Sequence, residues 1–202
     1  PSKSILFNID QKADVISKTQ IDALLAVYVK VFDDMCGYYG KQGYIAQFER
    51  ELDSRDQYEE FKRGFQEISG LPWEQGREQA LLEAHHVDAA YARVTGMPAE
   101  TAQGILDKYR RDYRVSIEDF AQKVQAYIER KGPNFHLLFF VDEVGQYIAD
   151  NVKLMTNLQT VAESLATKSR GQAWLVVTAQ EDMHTVFGEG GKQQTDDFSK
   201  IQ

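Results

Sequence analysis

Only one cysteine, Cys36, occurs in the 202 residues. That excludes an intramolecular disulfide and any multi-cysteine zinc or iron–sulfur site, and it fits a reducing compartment, with the cytoplasm the expected location. A positive charge balance is also lacking. The formal charge is −8, so the chain as a whole offers no basic field to a phosphate backbone, and only a local patch would serve one. No apolar run approaches the roughly 20 residues of a membrane span. The opening Pro1-Ser-Lys-Ser leads into Ile5-Leu-Phe without the core of a signal peptide. Internal repeats and low-complexity segments are absent. An initiator methionine is missing and Asp197-Phe-Ser-Lys-Ile-Gln202 brings no terminating signal, so a piece of a longer protein is expected. What remains is a globular composition, 43% apolar and 11% aromatic, with chain enough for one generous domain or two small ones.

The pattern along the chain changes twice. Ser4-Ile-Leu-Phe-Asn-Ile-Asp10 is a short apolar strand ending in a carboxylate. Thr19 can cap a helix whose Ile21, Leu24, Leu25, Tyr28, Val31 and Phe32 recur at helical spacing, with Gly37, Gly40 and Gly43 ending it. Residues 44–131 then read as amphipathic helices, punctuated by Gly70-Leu-Pro72, Gly96-Met-Pro98 and Ser116. Their apolar faces are marked by Phe48 and Leu52; by Tyr58, Phe61, Phe65 and Ile68; by Leu81, Leu82 and Val87; by Ile105, Leu106, Tyr109 and Tyr113; and by Ile117, Phe120, Val124, Tyr127 and Ile128. The tail gives a strand from Phe135 to Asp142, a helix from about Asn151 to Lys168 and a strand from Ala173 to Thr178. Strand, crossover helix and strand make a parallel βαβ unit of right-handed connection. The expected fold is α/β: residues 1–43 and 132–202 form a partial parallel core of about three strands, and 44–131 form an all-helical insertion.

Chemistry concentrates in His136-Leu-Leu-Phe-Phe-Val-Asp-Glu-Val-Gly145. The apolar run predicts a strand buried on both faces, and it delivers Asp142 and Glu143 to the carboxyl end, where ligands bind in open parallel sheets. An Asp there can hold magnesium through water, and an adjacent Glu can deprotonate an attacking water. One crossover later, Trp174-Leu-Val-Val-Thr178-Ala-Gln180 brings two polar side chains beside the same crevice.

This order resembles the Walker B strand followed by the sensor 1 strand of additional-strand P-loop ATPases, the class that includes the AAA+ proteins. Phe7-Asn-Ile-Asp10, Phe140-Val-Asp-Glu-Val-Gly-Gln-Tyr-Ile148 and Val176-Val-Thr-Ala-Gln-Glu-Asp-Met183, with the helical block between them, are similar to part of the large ATPase of BREX phage-defence systems, called BrxC or PglY. The resemblance implies a fragment of an ATP-hydrolysing P-loop protein that uses ATP and magnesium. Asp142 would be the metal ligand, Glu143 the catalytic base, and Thr178 and Gln180 the sensors. It also implies three neighbouring parallel strands at Ile5–Ile9, Phe135–Val141 and Ala173–Val177, with an unpaired edge on the last. The chain departs from the family in having no Walker A loop. Phe187-Gly-Glu-Gly-Gly-Lys192-Gln-Gln has Val186 and Gln193 where Gly and Ser/Thr are needed, follows no apolar strand, and reads as a mobile loop. ATP would therefore be gripped by a part outside this chain, and the fragment alone is expected to bind it weakly or not at all.

Other constellations read as structural. Arg110, Arg111 and Arg114 share a helical face that could touch DNA, but Tyr109 and Tyr113 fall with the core on the other side, and Asp107 and Asp112 dilute the field. His85 and His86, near Glu83 and Asp88, point about 100° apart and form no metal pair. Cys36 is expected to be a buried small hydrophobe. Arg170 precedes the last strand, where it would serve either the dipole of the preceding helix or, as an arginine finger, a neighbouring subunit. Two other functions stay open: a non-catalytic module whose helical block binds a protein partner or a second copy, and a metal-dependent phosphoesterase using Asp10, Asp142 and Glu143.

Overall fold

The computed structural model describes residues 1–9, 23–144 and 152–178, apart from the side chain of Val152. Among these residues the elements in chain order are β1 (Ser2–Asn8), α1 (Ala23–Cys36), α2 (Gly43–Ser54), α3 (Tyr58–Ser69), α4 (Trp73–Gly76), α5 (Ala84–Thr95), α6 (Ala99–Ala102), α7 (Ile105–Asp112), α8 (Ile117–Lys131), β2 (His136–Asp142), α9 (Val152–Lys168) and β3 (Ala173–Val177), with a 3-10 turn at Arg77–Gln79. The protein is thus mixed α/β, with a small three-stranded parallel sheet. Thr19 and Ile21, expected to open α1, lie outside the described residues.

Two compact units emerge: Pro1–Val27 with Ser116–Gln202, and Tyr28–Val115. The division falls elsewhere than at the expected 43/44 and 131/132. The reason lies in α8, whose Phe120 meets Phe139 of β2 edge-on at 6.0 Å and whose Tyr127 meets Phe135 at 5.9 Å. The helix belongs with the sheet. Its start is set by a capping box: Ser116 Oγ accepts the Asp119 N–H at 3.0 Å, and Asp119 accepts the Ser116 N–H at 3.1 Å, so two amides left over at a helix start are satisfied together.

In the sheet unit the strand order is β1-β2-β3, with Ser2 opposite His136, Asn8 opposite Asp142 and Val141 opposite Val177. The turn from α9 into β3 is fixed by Ser169. Its buried hydroxyl donates to the Leu165 carbonyl at 2.6 Å and accepts the Ala173 N–H at 2.8 Å. The Gln172 amide then spans to the carbonyls of Pro133 and Phe135, at 2.8 and 3.0 Å, tying the entries of β2 and β3 together.

The sheet is dry on one side only, contrary to the expectation from its apolar run. Ile5, Phe7, Leu137, Phe139, Val141 and Ala173 are buried, whereas on the other face Leu6 is 78% exposed, Trp174 57% and Val176 37%. Alternation along each strand produces this split, since successive side chains point to opposite faces. Among the described residues β3 pairs on one side only, with β2.

In the helical unit Phe48 is the hub, with the rings of Phe61, Trp73, Tyr91 and Tyr109 at 5.1 to 6.2 Å. Beside it Glu49 is fully buried, and its carboxylate receives the Trp73 indole N–H at 2.7 Å, Arg77 at 2.9 Å and the Tyr39 N–H at 2.6 Å. Desolvation of a charge is tolerated only with such a set of donors. Gly76 is required by contact: a Cβ there would lie 2.4 Å from Phe65. Leu81 and Leu82, expected on an apolar helical face, instead occupy the turn before α5 and are 70% and 81% exposed. In that turn the Leu82 and Glu83 N–H groups both donate to the Gln79 carbonyl, at 2.9 and 3.2 Å. Cys36 is half-buried at the end of α1 rather than in the core.

The one-sided sheet makes a testable contrast. Phe139→Ala is expected to cost about 3–5 kcal/mol, while Leu6→Ser should change stability by less than about 0.5 kcal/mol. Urea denaturation followed by circular dichroism reads both, and a large cost for Leu6→Ser would show that its face is covered.

Candidate functional site

Parallel pairing brings the ends of the three strands to one rim. There Asn8, Asp142 and Thr178 stand on neighbouring strands, and Glu143 follows Asp142. Backbone bonds bracket the pair: the Thr178 N–H donates to the Val141 carbonyl at 3.0 Å, and the Val144 N–H donates to the Thr178 carbonyl at 3.1 Å. Val144 is fully buried. The chain is therefore anchored on both sides of the two carboxylates.

Asp142 Oδ1 accepts the Thr178 hydroxyl and, at 3.0 Å, the Glu143 N–H. Asp142 is exposed, and its Oδ2 takes no hydrogen bond from a described residue. Glu143 turns differently. Its φ of +60° lies in the left-handed region, a conformation that costs a non-glycine residue roughly 1–2 kcal/mol. With that backbone its carboxylate meets β1, where Oε2 accepts the Asn8 amide N–H. Adjacent carboxylates thus face different neighbours, one the hydroxyl of β3 and the other the amide of β1.

Sequence reasoning placed Asp142, Glu143 and Thr178 together at the carboxyl end, and the fold brings them there. It passed over Asn8, which sits in the quoted Phe7-Asn-Ile-Asp10; its register opposite Asp142 was the signal that pairing alone could supply. Gln180 and Asp10 lie outside the described residues. Arg170 is exposed, with φ +54°, just before the start of β3. In its own chain it therefore stands at the amino-terminal rim, across the sheet from Asp142.

Among the described residues no three His, Cys, Asp or Glu side chains converge to hold a metal by themselves. The donors at the rim are one carboxylate with an open oxygen, a second carboxylate and a hydroxyl. Such a set fits magnesium, which keeps several waters and takes one or two carboxylates, and it does not form an all-protein cage. The other candidates stay structural. His86 Nδ1 pairs with Glu83 at 2.7 Å. Asp88 accepts the N–H groups of Gly104 and Ile105 at 2.8 and 3.1 Å, capping α7 from a neighbouring helix. α7 ends at Asp112, so Arg114 lies beyond it and cannot share a helical face with Arg110 and Arg111. Its guanidinium instead donates to the Arg111 and Tyr113 carbonyls, and Arg110 pairs with Asp107 at 2.9 Å.

No family model matches this chain, and no solved structure matches it significantly. None of the described helices is long and apolar enough to cross a membrane.

Because backbone bonds carry the rim, removing the Thr178 hydroxyl should leave the fold intact. Thr178→Val is expected to cost about 0.5–1.5 kcal/mol by urea denaturation, with an unchanged circular dichroism spectrum; loss of β structure would mean that the side chain, not the ladder, holds the rim.

Proposed function

We propose that the chain supplies the metal-and-water half of an ATP-hydrolysing site in a larger P-loop protein of the additional-strand class, with the BREX phage-defence ATPases as the family it resembles. One observation carries the reading: Asp142, Glu143, Thr178 and Asn8 gather at the carboxyl rim of three parallel strands through the Asp142–Thr178 and Glu143–Asn8 hydrogen bonds.

The roles follow from the contacts. Thr178 and the Glu143 N–H fix Asp142 through Oδ1, which leaves Oδ2 open, and Asp142 would hold magnesium through water. Magnesium, when bound, would neutralise charge on the transferring phosphate. Glu143 would take the proton of the attacking water, with the Asn8 amide setting the orientation of its carboxylate. Thr178, and Gln180 two residues on, would report on the terminal phosphate. The loop that grips ATP would come from the rest of the longer protein.

Glu143→Gln keeps the shape of the side chain and its contact with Asn8 but removes the base. In the full-length protein it should lower ATP turnover by about 10²–10⁴-fold while leaving nucleotide binding in place, measured by phosphate release and by titration with a fluorescent ATP analogue. Unchanged turnover would remove Glu143 from the mechanism. The open sheet face with Trp174 favours a second reading, a scaffold that docks another protein; a full-length protein that binds no nucleotide analogue would support it.

A further inference from the structure

In the helical unit a cavity of about 390 Å³ opens between α2, α5, α6 and α7. The volume lies within the range of small-molecule sites. Its walls divide by chemistry. Tyr91, Met97, Ile105 and Tyr109 give it an apolar and aromatic lining, and Tyr109 is backed by the Phe48 ring at 5.4 Å.

Four charged side chains line the same cavity: Glu51, Arg55, Lys108 and Asp112. Only Glu51 is engaged, receiving the Tyr109 hydroxyl and, at 3.4 Å, the Gln47 amide. Burial and that bond to Glu51 hold the Tyr109 phenol well above its ordinary value, so it stays neutral although Arg55 pulls the other way. Among the described residues the side chains of Arg55, Lys108 and Asp112 make no hydrogen bond or ion pair. Lys108 and Asp112 stand one helical turn apart, a spacing that permits a pair, yet they form none. Two pairs at comparable spacing in the unit do close, Lys30 with Asp34 at 2.8 Å and Arg110 with Asp107 at 2.9 Å. With Glu51 engaged, two unpaired cations and one unpaired carboxylate around an apolar lining match a molecule with an anionic group, an ammonium and an apolar body.

We propose that this cavity binds a small zwitterion with an apolar side chain, of the class of aromatic or branched amino acids. The ligand carboxylate lies toward Arg55 and Lys108, its ammonium toward Asp112, and its side chain against Met97 and Ile105. The site belongs to the helical unit and owes nothing to the acidic rim of the sheet.

Three probes of one shape test it on the whole chain by amide NMR titration: L-phenylalanine, 3-phenylpropionate without the ammonium, and 2-phenylethylamine without the carboxylate. Phenylalanine should give saturable shifts confined to α2 and α5–α7, and each truncated probe should bind about two- to fivefold more weakly, as expected when one exposed charged contact is lost. Arg55→Ala with Lys108→Ala should bring phenylalanine down to the level of 2-phenylethylamine, and Asp112→Asn should bring it down to that of 3-phenylpropionate. All three side chains are exposed, so these variants should keep the parent melting temperature. Absence of saturable shifts up to the solubility limit, equal affinity for the three probes, or shifts centred on β1–β3 would overturn the proposal.

Discussion

Backbone hydrogen bonds that set Asn8 beside Asp142 and Val141 beside Val177 bring three segments of the chain level at one rim. A slip of one residue in that ladder would send every side chain to the opposite face. Phe139 and Val141 would then leave the buried face, and Asn8 would no longer reach Glu143. Burial of Phe120 against Phe139 therefore does two things at once: it stabilises the sheet and fixes which side chains can meet at its end.

Much of this was legible in the sequence, because the two periods are distinct. Apolar runs of strand length at Ile5, Phe135 and Ala173 became the three parallel strands, and residues 44–131 contain helices and turns without a strand. What misled was the count of apolar residues in Leu137-Leu-Phe-Phe-Val141. A continuous run means burial on both faces only if something covers both, and composition cannot say what does. Leu138 and Phe140 are half-buried, whereas their neighbours on the opposite face are dry. Leu81 and Leu82 misled in the same way, since apolar character alone does not say whether a partner covers a residue, and both are exposed.

At the site, Asp142, Glu143 and Thr178 were readable because strand ends can be placed from the pattern alone. Asn8 and the left-handed turn at Glu143 were not, because both depend on which strand lies beside which and how far along. Asp88 is a second case. Grouped by sequence with His85 and His86, it serves as a cap for a helix sixteen residues away, a partner that only tertiary packing supplies.

The contacts at the rim also differ in reach along the chain. Thr178 meets Asp142 across 36 residues, while Asn8 meets Glu143 across 135. Closing the longer loop costs more chain entropy and waits on elements between its ends. During synthesis β1 leaves the ribosome well before β2, the strand it pairs with, because the whole helical block is made between them. Asn8 thus waits through the helical block for Glu143, and Thr178, made last of the four, completes the quartet.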